Sequence, residues 1–253
     1  MERDRVSELR SGLHRYRHLL RGGEVDYDTS LRVEEVESRI INRLLHNNDY
    51  INIIKYNDLS NILYKLKNLI FEEAKKIARD LDDKIEDPEK ALEAFYAGNQ
   101  DTPGFRTMFI VIQAIARVKA ELYEEENGQI ENPSPVCPVC GAVSRTMIKE
   151  EDSRYTMVCP FCGYKWTVSR GSLVCPYCGN SDPLSLGIFT GKKSKRLGLA
   201  WCQACGATWR VVLDSSIRVP RLLLPVIAHG AEIYRSLIPA ASGASIRDPF
   251  ADA

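Results

Sequence analysis

CPVCGAVSRTMIKEEDSRYTMVCPFCGYKWTV, residues 137–168, and CPYCGNSDPLSLGIFTGKKSKRLGLAWCQACGATWRVV, residues 175–212, are two versions of one pattern. Each opens and closes on a C-x-x-C-G knuckle: CPVCG and CPFCG in the first, CPYCG and CQACG in the second. All 8 cysteines of the chain lie in these knuckles. Two thiolates at this spacing reach one edge of a tetrahedral metal ion, and two such pairs complete a four-sulfur sphere. The spacing predicts one set at Cys137, Cys140, Cys159 and Cys162 and a second at Cys175, Cys178, Cys202 and Cys205. An interleaved pairing is the alternative, but each sequential half encloses its own hairpin and its own tryptophan. Trp166 and Trp209 each stand four residues past the last cysteine of their half, in CPFCGYKWTV and CQACGATWRV. The region therefore reads as a tandem duplication of one metal ribbon.

The glycine closing each knuckle (Gly141, Gly163, Gly179, Gly206) suits a tight turn with positive φ. Its N–H is expected to point at a cysteine sulfur. Ribbons of 37 and 43 residues (136–172 and 173–215) have too little apolar surface to offset their chain entropy unaided. Structural zinc contributes about 10–16 kcal/mol in small peptides, which makes up that deficit. Four sulfurs leave no open coordination position, which argues against hydrolytic metal catalysis. Tetrahedral sulfur sites suit zinc and iron alike, so two metal ions per chain, zinc or iron, are expected.

Disulfides are the competing reading for eight cysteines. They belong to secreted chains. Here the N-terminus, MERDRVSELRSGLHRYRHLL, is charged and lacks the apolar core of a signal peptide. The longest apolar runs, at residues 109–112 and 222–227, fall far short of a membrane span, so no transmembrane segment is expected. Metal-bound thiolates and a cytoplasmic protein are the favoured reading.

Upstream of the ribbons the texture is helical. Apolar residues recur at three- and four-residue steps through Val33, Val36, Ile40, Ile41, Leu44 and Leu45 and again through Leu59, Ile62, Leu63, Leu66, Leu69 and Ile70. Asp87-Pro88 and Asp101-Thr102-Pro103 read as helix starts, and Arg21-Gly22-Gly23, Gly98-Asn99 and Asn127-Gly128 as stops. A last helix is expected over residues 103–126, with Phe105, Met108, Ile112, Ile115 and Leu122 inward. The predicted organisation is α+β. A helical bundle (1–130) with solvated charges leads through a proline-containing linker (131–135) into the first ribbon (136–172) and the second (173–215). A closing helix (216–238) and a loosely held tail (239–253) follow. Strands are expected at residues 155–158, 165–168 and 209–213, which are rich in β-branched and aromatic residues.

The formal charge of zero hides a division: residues 1–133 carry 20 Lys+Arg against 26 Asp+Glu, net −6, and residues 134–253 carry 14 against 8, net +6. Such a split suggests units with different partners or units that face each other. Lys192, Lys193, Lys195 and Arg196, inside the second ribbon, are the candidate partner-binding residues, with a solvated hairpin tip as the alternative. No aromatic residue is interleaved with them, so a stacking platform for single-stranded nucleic acid is not indicated. His14 and His18 share a helix face, but one such pair without a carboxylate is weak evidence for a metal site. No phosphate-binding glycine loop, G-x-S-x-G or H-E-x-x-H motif is present, so there are no catalytic candidates.

A helical N-terminal region followed by tandem C-x-x-C ribbons and a closing helix resembles the formate dehydrogenase accessory proteins, the FdhE family. The resemblance runs from Pro135 to about Leu237, with all four C-x-x-C pairs in the family's order. CPVCG after the linker and Leu173-Val174-Cys175 are its closest points, and Asp248-Pro249-Phe250 resembles the family's C-terminal signature. The last knuckle, CQACG, departs from C-P-x-C-G but keeps both thiolates. The resemblance implies a helical domain joined to two rubredoxin-like modules. It also implies a cytoplasmic, non-catalytic maturation factor that binds the catalytic subunit of a molybdenum- or tungsten-dependent formate dehydrogenase. A zinc-ribbon nucleic-acid-binding protein using the +6 half and a rubredoxin-like electron carrier are the two other readings.

Overall fold

The computed structural model describes residues 27–191 and 196–215. The expected closing helix and tail, His14, His18, the Arg21-Gly22-Gly23 stop, and Lys192, Lys193 and Lys195 lie outside these residues. The fold is α+β, in two compact units that divide between Glu126 and Asn127.

The first unit is helical: α1 (Tyr27–Leu45), α2 (Asn48–Tyr56), α3 (Leu59–Lys65), α4 (Lys67–Asp80), α5 (Pro88–Ala97) and α6 (Phe105–Asn127). Side-chain caps set several of the starts. Asn47 accepts from the N–H groups of Asp49 and Tyr50 ahead of α2, and Asp58 accepts from that of Asn61 in α3. Asp87 accepts from Glu89 and Lys90, with Pro88 in the first turn of α5, as its sequence predicts. Gly98 ends α5 in the left-handed conformation. The start of α6 differs from the expectation at Pro103. Gly104 has φ +82°, which interrupts any helix there, and the first turn is capped by Asp83. The Asp83 carboxylate accepts from the Thr107 N–H at 3.2 Å and from its hydroxyl at 2.5 Å. A residue from the loop between α4 and α5 has replaced the local cap.

Ile41, Leu44, Ile54, Ile62, Ile70, Met108 and Ile112 form the heart of this unit, each fully buried. Val33, Leu45, Phe105 and Leu122, expected inward, are half-buried. The expectation that the charges are all solvated does not hold. Glu34 and Glu37 on α1 and Arg117 on α6 are buried among the apolar side chains. The Arg117 guanidinium donates to both oxygens of Glu34, at 2.9 and 3.1 Å, and to Glu37. A planar cation with five donors can satisfy two carboxylates at once, which is what permits all three inside.

The second unit carries β1 (Thr146–Lys149), β2 (Arg154–Val158), β3 (Lys165–Arg170), β4 (Leu186–Thr190), β5 (Leu197–Cys202) and β6 (Thr208–Val212). Each half is an antiparallel meander, yet the two are not separate sheets. The strand order is β3-β2-β1-β6-β5-β4, with β1 parallel to β6. Thr146, Met147 and Ile148 stand opposite Arg210, Val211 and Val212 across that seam, and the Arg210 N–H donates to the Arg145 carbonyl at 2.8 Å. Trp166, Met157, Met147 and Val211 lie side by side on β3, β2, β1 and β6, all wholly buried. The outer edge of β3 is covered by the segment leading into the ribbon: Thr167 donates to the Ile130 carbonyl and accepts from the Asn132 N–H. A row of open N–H and C=O groups is thereby paired at both edges of the first meander.

Candidate metal centres

The four knuckles fold alike. In each, the first cysteine's N–H donates to the carbonyl five residues on: Cys137 to Ala142, Cys159 to Tyr164, Cys175 to Asn180 and Cys202 to Ala207, at 2.9–3.0 Å. The closing glycine has φ between +74° and +78° in all four. A Cβ at Gly141 or Gly179 would meet nothing within 4 Å, so backbone conformation rather than space calls for glycine. The glycine N–H does not point at sulfur as expected. It donates to the carbonyl of the first cysteine, at 2.8–3.1 Å, closing the turn. The amides that reach sulfur come earlier in the knuckle: those of Phe161 and Cys162 both lie 3.4 Å from Cys159 Sγ.

These turns bring the cysteines together in the two sequential sets. Cys137, Cys140, Cys159 and Cys162 form one group and Cys175, Cys178, Cys202 and Cys205 the other, the sulfurs of each lying within 4.8 Å of one another. None of the eight is in a disulfide. The sulfurs of Cys140 and Cys159 are 3.4 Å apart, those of Cys137 and Cys162 3.6 Å, and both short pairs of the second group 3.7 Å. A tetrahedron with metal–sulfur bonds of about 2.3 Å has edges of about 3.8 Å. The donor set and its dimensions fit a zinc or iron ion, and each group could hold one.

The thiols within a group shift in opposite directions, as neighbours sharing protons must. Hydrogen bonds from Cys137 and Cys140 lower the pKa of Cys159, while contacts with Cys137 raise those of Cys140 and Cys162. In the second group burial opposes ionisation of Cys202, but the Asn180 side-chain amide and nearby backbone amides outweigh it and lower its pKa. Burial raises Cys175 and pushes Cys205 up to about 11. A bound cation takes the place of the protons and lets all four ionise.

Supporting side chains complete the first centre. The Trp166 indole donates to the Ser134 carbonyl at 2.8 Å. The Tyr164 hydroxyl donates to the Gly128 carbonyl at 2.9 Å and accepts from the Ile130 N–H at 3.3 Å. Ser144, wholly buried, donates from its hydroxyl to the Val158 carbonyl at 2.6 Å. In the second centre the Asn180 amide bridges the Ser185 hydroxyl, at 2.8 Å, and Cys202 Sγ, at 3.6 Å. Sequence reasoning passed over Tyr164, Ser144 and Asn180, although Tyr164 and Asn180 directly follow knuckle glycines, a position that could have marked them.

Of the candidate partner-binding cations, Arg196 alone is described. It lies in the connection between β4 and β5, at the tip of that hairpin, half-exposed, 3.3 Å from Asp214. Other cations of this unit are also paired: Arg154 with Asp152, Lys165 with Glu150 and Arg170 with Glu131. Among the described residues no helix is long and apolar enough to cross a membrane.

No protein-family model and no curated protein matches the chain. Among solved structures, the FdhE protein from Pseudomonas aeruginosa is similar, with a TM-score of 0.54 and 16% identity over 98% of this chain and 96% of that one. At that identity the likeness is one of fold. A helical unit followed by a ribbon unit with two four-cysteine groups is thus an FdhE-like fold.

Proposed function

We propose that this chain is a non-catalytic accessory factor for a metal-dependent formate dehydrogenase, binding the enzyme's catalytic subunit in the cytoplasm during maturation. The observation that carries the reading is the joint one: a fold shared with an FdhE protein over 98% of the chain, together with four C-x-x-C knuckles that pair into two four-thiolate groups. All eight cysteines act as metal ligands in this reading, one ion to each group. A closed sphere of four thiolates holds structure and offers substrate no coordination position, which agrees with an assembly role. The opposite charges of the two halves supply surfaces of both signs for a protein client. Lys192, Lys193, Lys195 and Arg196 form part of the client surface.

The pairing of Arg154, Lys165, Arg170 and Arg196 with carboxylates counts against the nucleic-acid reading, since cations so engaged have less charge to offer phosphates. The test is genetic and biochemical together. Deleting the gene in a host with a metal-dependent formate dehydrogenase is expected to abolish or sharply reduce that activity at normal transcript level, and the purified protein is expected to retain the catalytic subunit while turning over no formate. Full activity in the deletion strain refutes the reading.

A further inference from the structure

The two sulfur groups differ in how the surrounding protein encloses them. In the first, Cys137, Cys159 and Cys162 are buried and Cys140 is partly covered. In the second, Cys175 and Cys202 are buried, but Cys178 and Cys205 are exposed. The second cysteine of each knuckle therefore faces solvent in this group, so one whole edge of the sulfur tetrahedron is open.

The repeat allows a position-by-position comparison of what holds each group. Phe161 and Tyr164 of the first half correspond to Ala204 and Ala207 of the second. The Tyr164 hydroxyl, which ties the first ribbon to Gly128 and Ile130, has no counterpart. Trp166 and Trp209 correspond, and both are buried, but only the first has its indole N–H paired: Trp209 Nε1 has no hydrogen-bond partner among the described residues. Ser172 stands three residues ahead of its knuckle as Ser134 does, but its carbonyl accepts from the Ser169 hydroxyl, at 2.7 Å, rather than from an indole. The second group has clamps of its own, the Asn180 amide on Cys202 Sγ and the Tyr177 hydroxyl on the Ser144 carbonyl at 3.2 Å, so it is the exposure of the Cys178–Cys205 edge that sets the two groups apart. Loss of a metal ion begins with one thiolate leaving the sphere, and an exposed thiolate can be captured by water, a proton or a competing ligand when it does.

We propose that the two centres divide their roles: the first is a permanent structural centre, and the second is an exchange site whose metal ion enters and leaves across the Cys178–Cys205 edge. The ligand class is a thiophilic cation such as Zn2+ or Fe2+, or a softer ion that displaces it. The inference rests on the reading that both groups bind metal, and on no assumption about the client.

The test uses the full chain loaded with zinc. Total metal is measured first: fewer than two ions per chain refutes the underlying reading, separately from the division of roles. With two bound, a chromophoric chelator in excess should withdraw one equivalent at least tenfold faster than the other. A brief pulse of N-ethylmaleimide during the fast phase, followed by peptide mass spectrometry, should label Cys178 and Cys205 ahead of all four cysteines of the first group. This measurement needs no variant and so does not depend on a variant's folding. Tyr164→Phe, which removes only the clamping hydroxyl, should accelerate the slow phase and leave the fast one unchanged. Release of both equivalents at one rate, earlier labelling in the first group, or a Y164F protein whose slow phase is unaltered would overturn the proposal.

Discussion

Replacing Arg117 by methionine tests the energetics of the helical unit at its least apolar point. The side chain is 10% exposed, and the carboxylates it holds, Glu34 and Glu37, are 8% and 2% exposed. Methionine fills much of the same volume but makes none of the three charged hydrogen bonds. It leaves two carboxylates together in a desolvated space. Breaking a buried ion pair from one side costs about 3–5 kcal/mol, and with two acids stranded the upper end of that range is expected. A proton on one stranded acid relieves part of the cost, so the penalty should be smaller near about pH 5 than near about pH 8, the folded variant binding more protons than the unfolded one. The assay is urea unfolding followed by far-ultraviolet circular dichroism. Fluorescence would miss the event, because all 3 tryptophans, Trp166, Trp201 and Trp209, lie in the ribbon unit. The control replaces the triad as a whole: Glu34→Leu, Glu37→Met and Arg117→Met together should recover most of the loss, since no charge then remains buried. A penalty for R117M below about 1 kcal/mol, or one that does not change with pH, refutes this account.

Two further outcomes follow from the ribbon unit. Chelation of the bound metal is expected to abolish amide-exchange protection across residues 146–212 while residues 33–126 keep theirs, because the sulfur groups hold together the knuckles from which the strands run; uniform loss along the chain would show that the two units fold as one. Gly187→Ala places a Cβ 2.5–2.9 Å from the indole of Trp201 across the β4–β5 pair. It should force that ring to move, shift the tryptophan emission and cost about 1–3 kcal/mol, whereas an unchanged spectrum and stability would show that the edge strand yields instead.

The cysteine spacing was enough to sort the cysteines into their two groups, because a C-x-x-C knuckle is a local structure: four residues and a glycine turn settle where two sulfurs go. The same holds for the Asp87-Pro88 cap and the Gly98 stop, whose partners lie within one turn. Three of the six strands among the described residues escaped the reading. β1 is only four residues, TMIK, β4 contains Gly187 and β5 contains Gly198, so none has the continuous β-branched texture that marks a strand alone. Their pairing partners stabilise them.

What the sequence determined by itself was whatever a few consecutive residues can enforce: helices by their apolar period, caps, knuckles, and the duplication that divides eight cysteines into two sets. Tertiary structure decided everything that depends on partners distant in the chain. Glu34, Glu37 and Arg117 read as solvated charges until α1 and α6 bring them together across 80 and 83 residues. The parallel seam between β1 and β6 joins two ribbons into one sheet through residues 64 apart. The exposure of Cys178 and Cys205 is of the same kind. Both sulfur groups carry the same motif, yet Cys178 and Cys205 are exposed where Cys140 is partly covered and Cys162 is buried. Burial and pairing are properties of surfaces that meet in space, and no local pattern encodes which surfaces those will be.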